Sequence, residues 1–213
     1  MKQILIVTSV DKERQAVEAG LKGDPRFLTG LCGVGPVEAA VRTMKLLSTC
    51  SSSVEAVLNL GVAGGIPGKA AVGEAVLGTK TVQADLGFEQ ADGSFEAIEA
   101  LGFTVSERDA NSDLISRVRE ALRENVHEGP IVTQSTVTGT KASLETLLQR
   151  VPDAMAEGME GFAVHSAAEA YGIPALELRA ISNPVGPRKR GEWQLEDALH
   201  TLTGLTVQLK GGM

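Results

Sequence analysis

Two polar residues, Glu160 and Asn183, stand at positions where side chains can do chemistry. Glu160 lies between Gly158 and Gly161, at a corner where a short extended segment turns into an amphipathic helix. Asn183 ends an apolar strand, directly before Pro184. In open α/β sheets ligands bind outside the carboxyl ends of the strands, so both side chains are expected to face one crevice. A carboxylate and an amide that converge there supply the polar contacts that a small-molecule site needs.

A third candidate, Glu13, follows the first predicted strand and is expected at the same crevice. All three residues also have a structural explanation. Acidic residues are favoured in the first turn of a helix, which accounts for Glu13 and Glu160, and an Asn before Pro184 is a usual way to begin a turn. The residues alone leave both interpretations open.

The elements that must position these residues alternate along the chain. Apolar runs rich in branched residues predict buried strands, and amphipathic segments predict helices. Strands are expected at residues 2–8, 27–32, 54–60, 72–82, 129–137 and in the run that ends at 183, with helices at 11–21, 37–47, 111–124, 142–148 and 195–209 and a long loop at 90–109. This order predicts an α/β fold, a mostly parallel sheet covered by helices on both faces, in one domain over residues 1–213.

The composition limits the partners of the chain. A formal charge of −7 argues against binding to the phosphate backbone of nucleic acid or to an anionic membrane surface. Cys32 and Cys50 lack the spacing of a metal site, and the three histidines are scattered, so no metal is expected. The apolar run near the amino terminus is too short for a signal peptide, and no segment approaches the length of a membrane span, which predicts a cytoplasmic protein.

Two glycine-rich segments follow predicted strands. Residues 33–35 form a Gly-Val-Gly turn, but Glu38 occupies the third glycine position of a dinucleotide-binding motif, where an acid would repel pyrophosphate. Residues 61–65 contain three glycines whose amides can cradle an anion or form a plain turn. No Gly-Lys-Ser/Thr follows them, so the segment is not a P-loop. No cofactor is expected.

Taken in order and at these intervals, the motifs resemble those of the purine nucleoside phosphorylase and methylthioadenosine nucleosidase superfamily. The shared features cover nearly the whole chain: Glu13 after the first strand, the turn at 33–35, the glycine segment at 61–65, the Gly-Met-Glu-Gly corner at 158–161 and the Arg-Ala-Ile-Ser-Asn strand end at 179–183. Within the superfamily, residues 10–14, 156–162 and 182–188 are most similar to the futalosine hydrolase family. The resemblance implies a three-layer fold with a twisted mixed sheet, partly closed into a barrel and flanked by helices. It also implies hydrolysis of the N-glycosidic bond of futalosine, which releases hypoxanthine in a menaquinone pathway.

The resemblance assigns a role to each catalytic candidate. Glu13 matches the residue that binds and activates water, Glu160 matches the carboxylate that holds the ribose hydroxyls, and Met159 would pack on the sugar. Asn183 replaces the Asp of adenine-specific relatives. An amide has one donor and one acceptor, so it complements O6 and the protonated N7 of a 6-oxopurine together. An amide at this position therefore implies a preference for hypoxanthine over adenine.

Further substrate contacts are implied at the glycine segment, along the segment after the fifth strand, in the helix after the corner, and in the basic loop after Asn183. These are Gly64, Ser135, Thr136, Val137, Thr138, Phe162, Arg188 and Arg190. Arg188 or Arg190 is expected to meet the carboxylate on the 5′ side of futalosine. The expected partner is therefore a small nucleoside, and relatives suggest a homo-oligomer of at least two subunits.

Three alternatives remain open. A methylthioadenosine or adenosylhomocysteine nucleosidase is disfavoured by Asn183. An inosine-type phosphorylase is disfavoured because Val62 and Ala63 supply no hydroxyl for phosphate and Glu13 would repel it, although Arg14 is nearby. A nucleoside-binding sensor that lost the chemistry is disfavoured because it would need neither acid.

Overall fold

The computed structural model describes residues 2–122, 126–187, 191 and 193–213. The strands are β1 (Gln3–Thr8), β2 (Phe27–Leu31), β3 (Val54–Gly65), β4 (Ala75–Gln83), β5 (Gly87–Glu89), β6 (Phe95–Ala97), β7 (Glu107–Asp109), β8 (His127–Thr133), β9 (Ala156–Gly158) and β10 (Ala175–Pro184). The helices are α1 (Asp11–Leu21), α2 (Pro36–Cys50), α3 (Ser112–Ala121), α4 (Lys141–Arg150), α5 (Gly161–Glu169) and α6 (Leu195–Gly212). None of the helices in these residues is long and apolar enough to cross a membrane.

The main sheet closes on itself in its centre. Neighbouring strands follow the order β10-β4-β8-β9-β3-β1-β2, and β10 pairs with β3 as well, so β3, β10, β4, β8 and β9 form a ring. Parallel pairs (β1 with β2 and β3, β3 with β10, β4 with β8, β8 with β9) outnumber antiparallel ones. The predicted α/β fold, with a mixed, mostly parallel sheet partly closed into a barrel, is confirmed.

Helices cover the sheet on both faces because successive strand residues point to opposite sides. In β1, Ile4 and Ile6 pack with apolar residues of α1, α3 and α6, whereas Leu5 and Val7 pack with residues of α2 and α5. β1 therefore lies buried between two helical layers, and its carboxyl end is fixed in space. Glu13 follows directly from that end in α1.

Several predicted boundaries were wrong. The glycine segment at 61–65 is part of β3, which extends through Gly65 and pairs with both β10 and β9. The predicted strand at 129–137 ends at Thr133. The expected long loop at 90–109 contains β6, which pairs with β5, and β7, which pairs with β4. These segments are short or rich in glycine, so their pairing depends on partners distant in sequence rather than on local pattern.

Candidate functional site

A cavity of about 700 Å³ opens at one end of the closed sheet. Glu13, Glu160 and Asn183 all line it, although they are up to 170 positions apart along the chain. The fold thus brings the three catalytic candidates to one crevice, at the carboxyl ends of β1 and β10. This is the position at which α/β sheets bind ligands.

Glu13 is held by three backbone donors. Its Oε2 accepts the N–H groups of Ser9 at 2.9 Å and Val10 at 3.2 Å, and its Oε1 accepts that of Val62 at 2.8 Å. The side chain therefore does stabilise the start of α1, while it also lines the cavity. Burial raises the pKa of Glu13 above its ordinary value, and the positive charge of Arg179 opposes that rise.

Glu160 joins the corner before α5 to two other parts of the site. Its Oε1 accepts the N–H of Gly35 at 3.1 Å, and its Oε2 lies 3.3 Å from Nη2 of Arg179. Gly35 has a φ of 85°, a conformation that favours glycine. The Gly-Val-Gly turn thus donates a backbone hydrogen bond to the carboxylate of Glu160.

Arg179 is the cation at the centre of these acids, and no role for it was predicted from the sequence. It is fully buried, and its Nε lies 2.8 Å from Oε1 of the buried Glu177. Burial alone lowers the pKa of Arg179, but Glu177, Glu160 and Glu13 reverse the effect and raise it. The sequence did contain a signal for this pair, since Glu177 and Arg179 stand inside an apolar strand and charged residues are seldom fully buried unless they are paired.

Two glycines leave the space that this cluster occupies. A Cβ at Gly61 would lie 2.6 Å from both Nη1 of Arg179 and Oε1 of Glu13. A Cβ at Gly161 would lie 1.9 Å from Oε2 of Glu177. Both separations are impossible for real atoms, so any side chain at these positions would displace the charged groups. Gly61 therefore allows close approach of protein side chains.

Asn183 is oriented by a chain of hydrogen bonds. Trp193 Nε1 lies 3.3 Å from Ser182 Oγ, which lies 2.9 Å from Asn183 Oδ1, and Asn183 Nδ2 donates to the carbonyl of Pro184 at 3.0 Å. The pairing of β10 with β3 shifts register between Ile181 and Asn183, so Ser182 is an extra residue there. Such bulges re-aim side chains next to binding sites, and here both Ser182 and Asn183 line the cavity.

The remaining predicted contacts divide into two groups. Met159, Gly64, Val137 and Thr138 line the cavity. Arg188 and Arg190 lie outside the described residues.

Ser135, Thr136 and Phe162 are not among the described residues that line the cavity. Because β8 ends early, the chain turns away after it, and the N–H of Ser135 donates to Oδ2 of Asp85 at 2.9 Å. Phe162 follows Glu160 by two positions, which points it to a different side of the helix, and its ring lies under the guanidinium of Arg108, 5.1 Å away. Their predicted contact with substrate has no support from this geometry.

Other residues line the cavity that were not predicted from the sequence, among them Glu157 and Lys12. Glu157 is buried in β9, where it accepts from Gln134 Nε2 at 2.9 Å and from the Thr138 N–H at 2.8 Å. Lys12 is exposed and pairs with Glu196 at 3.1 Å. Glu157 belongs to the motif at 156–162, so an acid in a short buried strand was the signal. Among residues 2–122, 126–187, 191 and 193–213, no group of three His, Cys, Asp or Glu could hold a metal ion.

Comparison with known proteins identifies the family of the chain. The model of the phosphorylase superfamily matches residues 8–206. Futalosine hydrolase of Streptomyces coelicolor is 42% identical over 83% of this chain and 75% of its own length. The futalosine hydrolases of Acidothermus cellulolyticus and Thermus thermophilus are 36% and 34% identical, over 93% and 86% of this chain and 86% and 80% of their own lengths.

Solved structures share the fold at lower identity. Methylthioadenosine/S-adenosylhomocysteine nucleosidase of Helicobacter pylori, solved with butyl-thio-DADMe-Immucillin-A, superposes with a TM-score of 0.87 at 19% identity and covers 100% of this chain and 99% of its own. The futalosine hydrolase structure of the same organism gives 0.86 at 18% identity, over 100% and 98%. The family model and the relatives at 34–42% identity show that the chain belongs to the phosphorylase superfamily and, within it, to the futalosine hydrolase family.

Proposed function

We propose that this protein hydrolyses the N-glycosidic bond of futalosine and releases hypoxanthine and dehypoxanthine futalosine, as a step of menaquinone biosynthesis. The observation that carries the proposal is the convergence of Glu13, Glu160 and Asn183 on one cavity, in a chain 34–42% identical to futalosine hydrolases. Cleavage of this bond needs a base for the attacking water, a negative charge near the ribose, and hydrogen bonds to the departing purine.

Glu13 is the general base in this proposal. Its raised pKa supports the role, because proton transfer is most efficient when the pKa of the base approaches the working pH. The three backbone donors hold the carboxylate in one orientation before substrate arrives. A water bound to Glu13 then loses its proton to the carboxylate as it attacks C1′ of the ribose.

Glu160 binds the ribose hydroxyls and stabilises the positive charge that develops on the sugar. Arg179 positions it from behind, at 3.3 Å, and Gly35 holds its other oxygen. This fixed arrangement costs no reorganisation during the reaction, which is the basis of electrostatic catalysis. Met159 packs on the sugar beside it.

Asn183 receives the leaving base. Its amide nitrogen donates to O6, and its oxygen accepts the N7–H that forms when the departing base takes up a proton from solvent; the hydrogen bonds from Trp193 through Ser182 support that orientation. A carboxylate in place of Asn183 would set one of its acceptor oxygens against O6, which is also an acceptor. Two buried acceptors that face each other without a proton carry a large free-energy penalty.

Water rather than phosphate is the nucleophile. Three carboxylates, Glu13, Glu157 and Glu160, line the cavity, and Lys12 is its one cation in the described part of the chain. Arg14 is engaged elsewhere, since its guanidinium pairs with Asp11 at 2.8 Å and with Glu18 at 3.2 Å. A phosphate dianion would meet mainly repulsion in such a site.

An assay of released base tests the proposal. The pure protein is incubated in phosphate-free buffer with futalosine, inosine or methylthioadenosine, and free hypoxanthine or adenine is quantified. We expect hypoxanthine from futalosine without added phosphate. Strict dependence on phosphate, or faster release of adenine from methylthioadenosine, would contradict the assignment. Binding without release of base from any substrate would favour a sensor.

We also propose a homo-oligomer, at least a dimer, of single-domain subunits in the cytoplasm. An exposed apolar stripe supports the association: Val37, Val41 and Met44 recur at helical spacing on α2 and continue to Val34, which lines the cavity. Exposed apolar patches of this kind mark protein interfaces. Sedimentation of a monomer at assay concentration would contradict it.

Arg188 and Arg190 remain the proposed partners of the 5′ carboxylate, with Lys12 at the same cavity as a third cation.

A further inference from the structure

Glu157 is a buried carboxylate of the cavity that the proposed reaction does not use. It is 6% exposed and lies in the three-residue strand β9. Its two oxygens accept from neutral donors, Gln134 Nε2 and the Thr138 N–H. None of the ion pairs among the described residues includes it. Each carboxylate oxygen can accept a second hydrogen bond, so Glu157 retains capacity for a donor from the cavity side.

The sheet register sets Glu157 beside Asn183. Gly64 of β3 is paired with Glu157 of β9 on one side and with Asn183 of β10 on the other. Directly paired residues point to the same face of a sheet. Strands lie about 4.8 Å apart, so the two main chains are roughly 10 Å apart, with Gly64 between them. A Cβ on Gly64 would lie 2.8 Å from Cγ2 of Val185 and 3.3 Å from Asn183 Nδ2, so only glycine leaves Asn183 in its present place on this face.

The donor that an adenine would need is already taken. Adenine presents an acceptor at N1, and the backbone N–H of Thr138, which lines the cavity, is the kind of group that would serve it. In this structure that N–H donates to Oε1 of Glu157 at 2.8 Å. Glu157 therefore replaces a donor with an acceptor at this edge of the cavity.

We propose that Glu157 accepts a hydrogen bond from the N1–H of the purine and, with Asn183, restricts the site to 6-oxopurines. The inference rests on the proposed function for the placement of the base. In a 6-oxopurine O6 lies between N7 and N1, so an amide that meets N7 and O6 leaves N1–H for a neighbouring acceptor. In adenine, N1 is an acceptor that would face the acceptor oxygens of Glu157, so N1 would lack a donor and the two groups would repel each other. Sites built around such a hydrogen bond reject analogues that lack it far more strongly than apolar pockets do.

Substrate pairs test the specificity directly. The kcat/KM for futalosine is divided by that for its 6-amino analogue, in the wild type and in Glu157→Gln. Gln keeps an acceptor for Thr138 and adds a donor suited to N1 of adenine, so we expect the ratio to fall by about 10²-fold. Equal losses for both substrates, with the ratio unchanged, would show a merely structural role and overturn the proposal.

Asp85→Asn is the matched control. Asp85 also accepts a backbone N–H of the segment after β8, that of Ser135, but it does not line the cavity among the described residues. We expect it to leave the ratio unchanged. A comparable change of ratio in Asp85→Asn would assign the effect to the anchoring of that segment and would count against direct recognition by Glu157.

Binding of free bases to the wild type keeps the inference testable without a variant and without turnover. Calorimetry with hypoxanthine, 1-methylhypoxanthine and adenine should show binding of the first and at least about 10²-fold weaker binding of the other two. Equal affinity for hypoxanthine and its 1-methyl derivative would overturn the role of N1–H. Tight, selective binding of hypoxanthine without release of base from futalosine would leave this inference standing while the proposed reaction failed.

Discussion

The two ends of the cavity hold their carboxylates in different ways. At the end proposed for the ribose, Glu160 and the deeper Glu177 pair with the fully buried Arg179, and Glu13 lies within its field. At the end proposed for the base, Glu157 is held by an amide and a backbone N–H, and Asn183 by Ser182. One end is organised around the positive charge of Arg179, and the other around hydrogen bonds from neutral donors.

This difference matches what each part of the substrate would demand. A sugar that gains positive charge in the transition state is stabilised by acids, and a buried cation is required to keep several acids together before substrate binds. One purine is distinguished from another by which of its edge atoms donate hydrogen bonds and which accept them. Removal of charge should therefore affect stability and rate at one end and selectivity at the other.

Arg179→Met should have the largest effect. Removal of this cation leaves Glu160 and Glu177 buried without their partner, which should lower the free energy of unfolding by about 3–5 kcal/mol and abolish hydrolysis. Urea denaturation provides the measurement. Arg119→Met, which removes an exposed pair with Glu128, should cost no more than about 1 kcal/mol. Equal costs for the two variants would contradict the central role of Arg179.

Glu160→Gln should reduce the rate and lower stability by less than Arg179→Met does, because Glu177 still pairs with Arg179 and Gln preserves the shape of the side chain and an acceptor for Gly35. We expect kcat for futalosine to fall by on the order of 10²-fold or more, equivalent to about 3 kcal/mol. Glu38→Gln is the control, since Glu38 pairs only with Arg42 on the exposed side of α2 among its described contacts. A kcat near that of the wild type would remove Glu160 from the mechanism.

Asn183→Asp should change selectivity more than rate. A carboxylate there opposes O6 but accepts from the amino group of adenine, so the preference for the 6-oxo over the 6-amino substrate should fall by about 10-fold or more. Competition between the two substrates, with both bases separated by chromatography, measures the ratio. The effect should be partial, because Glu157 would still face N1. An unchanged preference would place base recognition elsewhere.

The pH profile should show the smallest effect, a displacement of one limb. Burial raises the pKa of Glu13, and a general base must be deprotonated, so kcat/KM should fall as the pH decreases through this raised pKa. The acid limb should therefore lie above 4.5, the ordinary value for Glu. Residual activity of Glu13→Gln should lack that limb. Persistence of the same limb in the variant would assign it to another group.

Much of the fold was predictable because it depends on local pattern. The helix at Asp11–Leu21 was predicted with its observed bounds, and Asn111, where another helix was predicted to begin, caps α3 by accepting the N–H of Leu114 at 2.9 Å. The continuation of β3 through Gly61 and Gly65 was missed. Glycine lowers strand propensity locally, and only the pairing of β3 with β10 and β9 keeps this segment extended.

The candidate site shows the same division. Glu13, Glu160 and Asn183 were identified from their places at the ends of predicted strands and from family motifs. Arg179 was quoted in a motif without a role, since nothing near it in sequence indicates that it lies under Glu160. Ser135 at the base and Phe162 elsewhere in the site were predicted to contact the substrate, but neither is among the described residues that line the cavity, since β8 ends before Ser135 and the ring of Phe162 lies against Arg108.

By itself, the sequence determined the alternation of strands and helices, the acid-bearing corners and the family, because near neighbours fix these features. The tertiary structure decided which residues meet. The closed sheet brings Glu13 and Glu160 around Arg179, and the register of three strands sets Glu157 and Asn183 on either side of Gly64. The register between strands that lie far apart in sequence is fixed by burial and pairing across the whole sheet, and no single stretch of sequence contains that information.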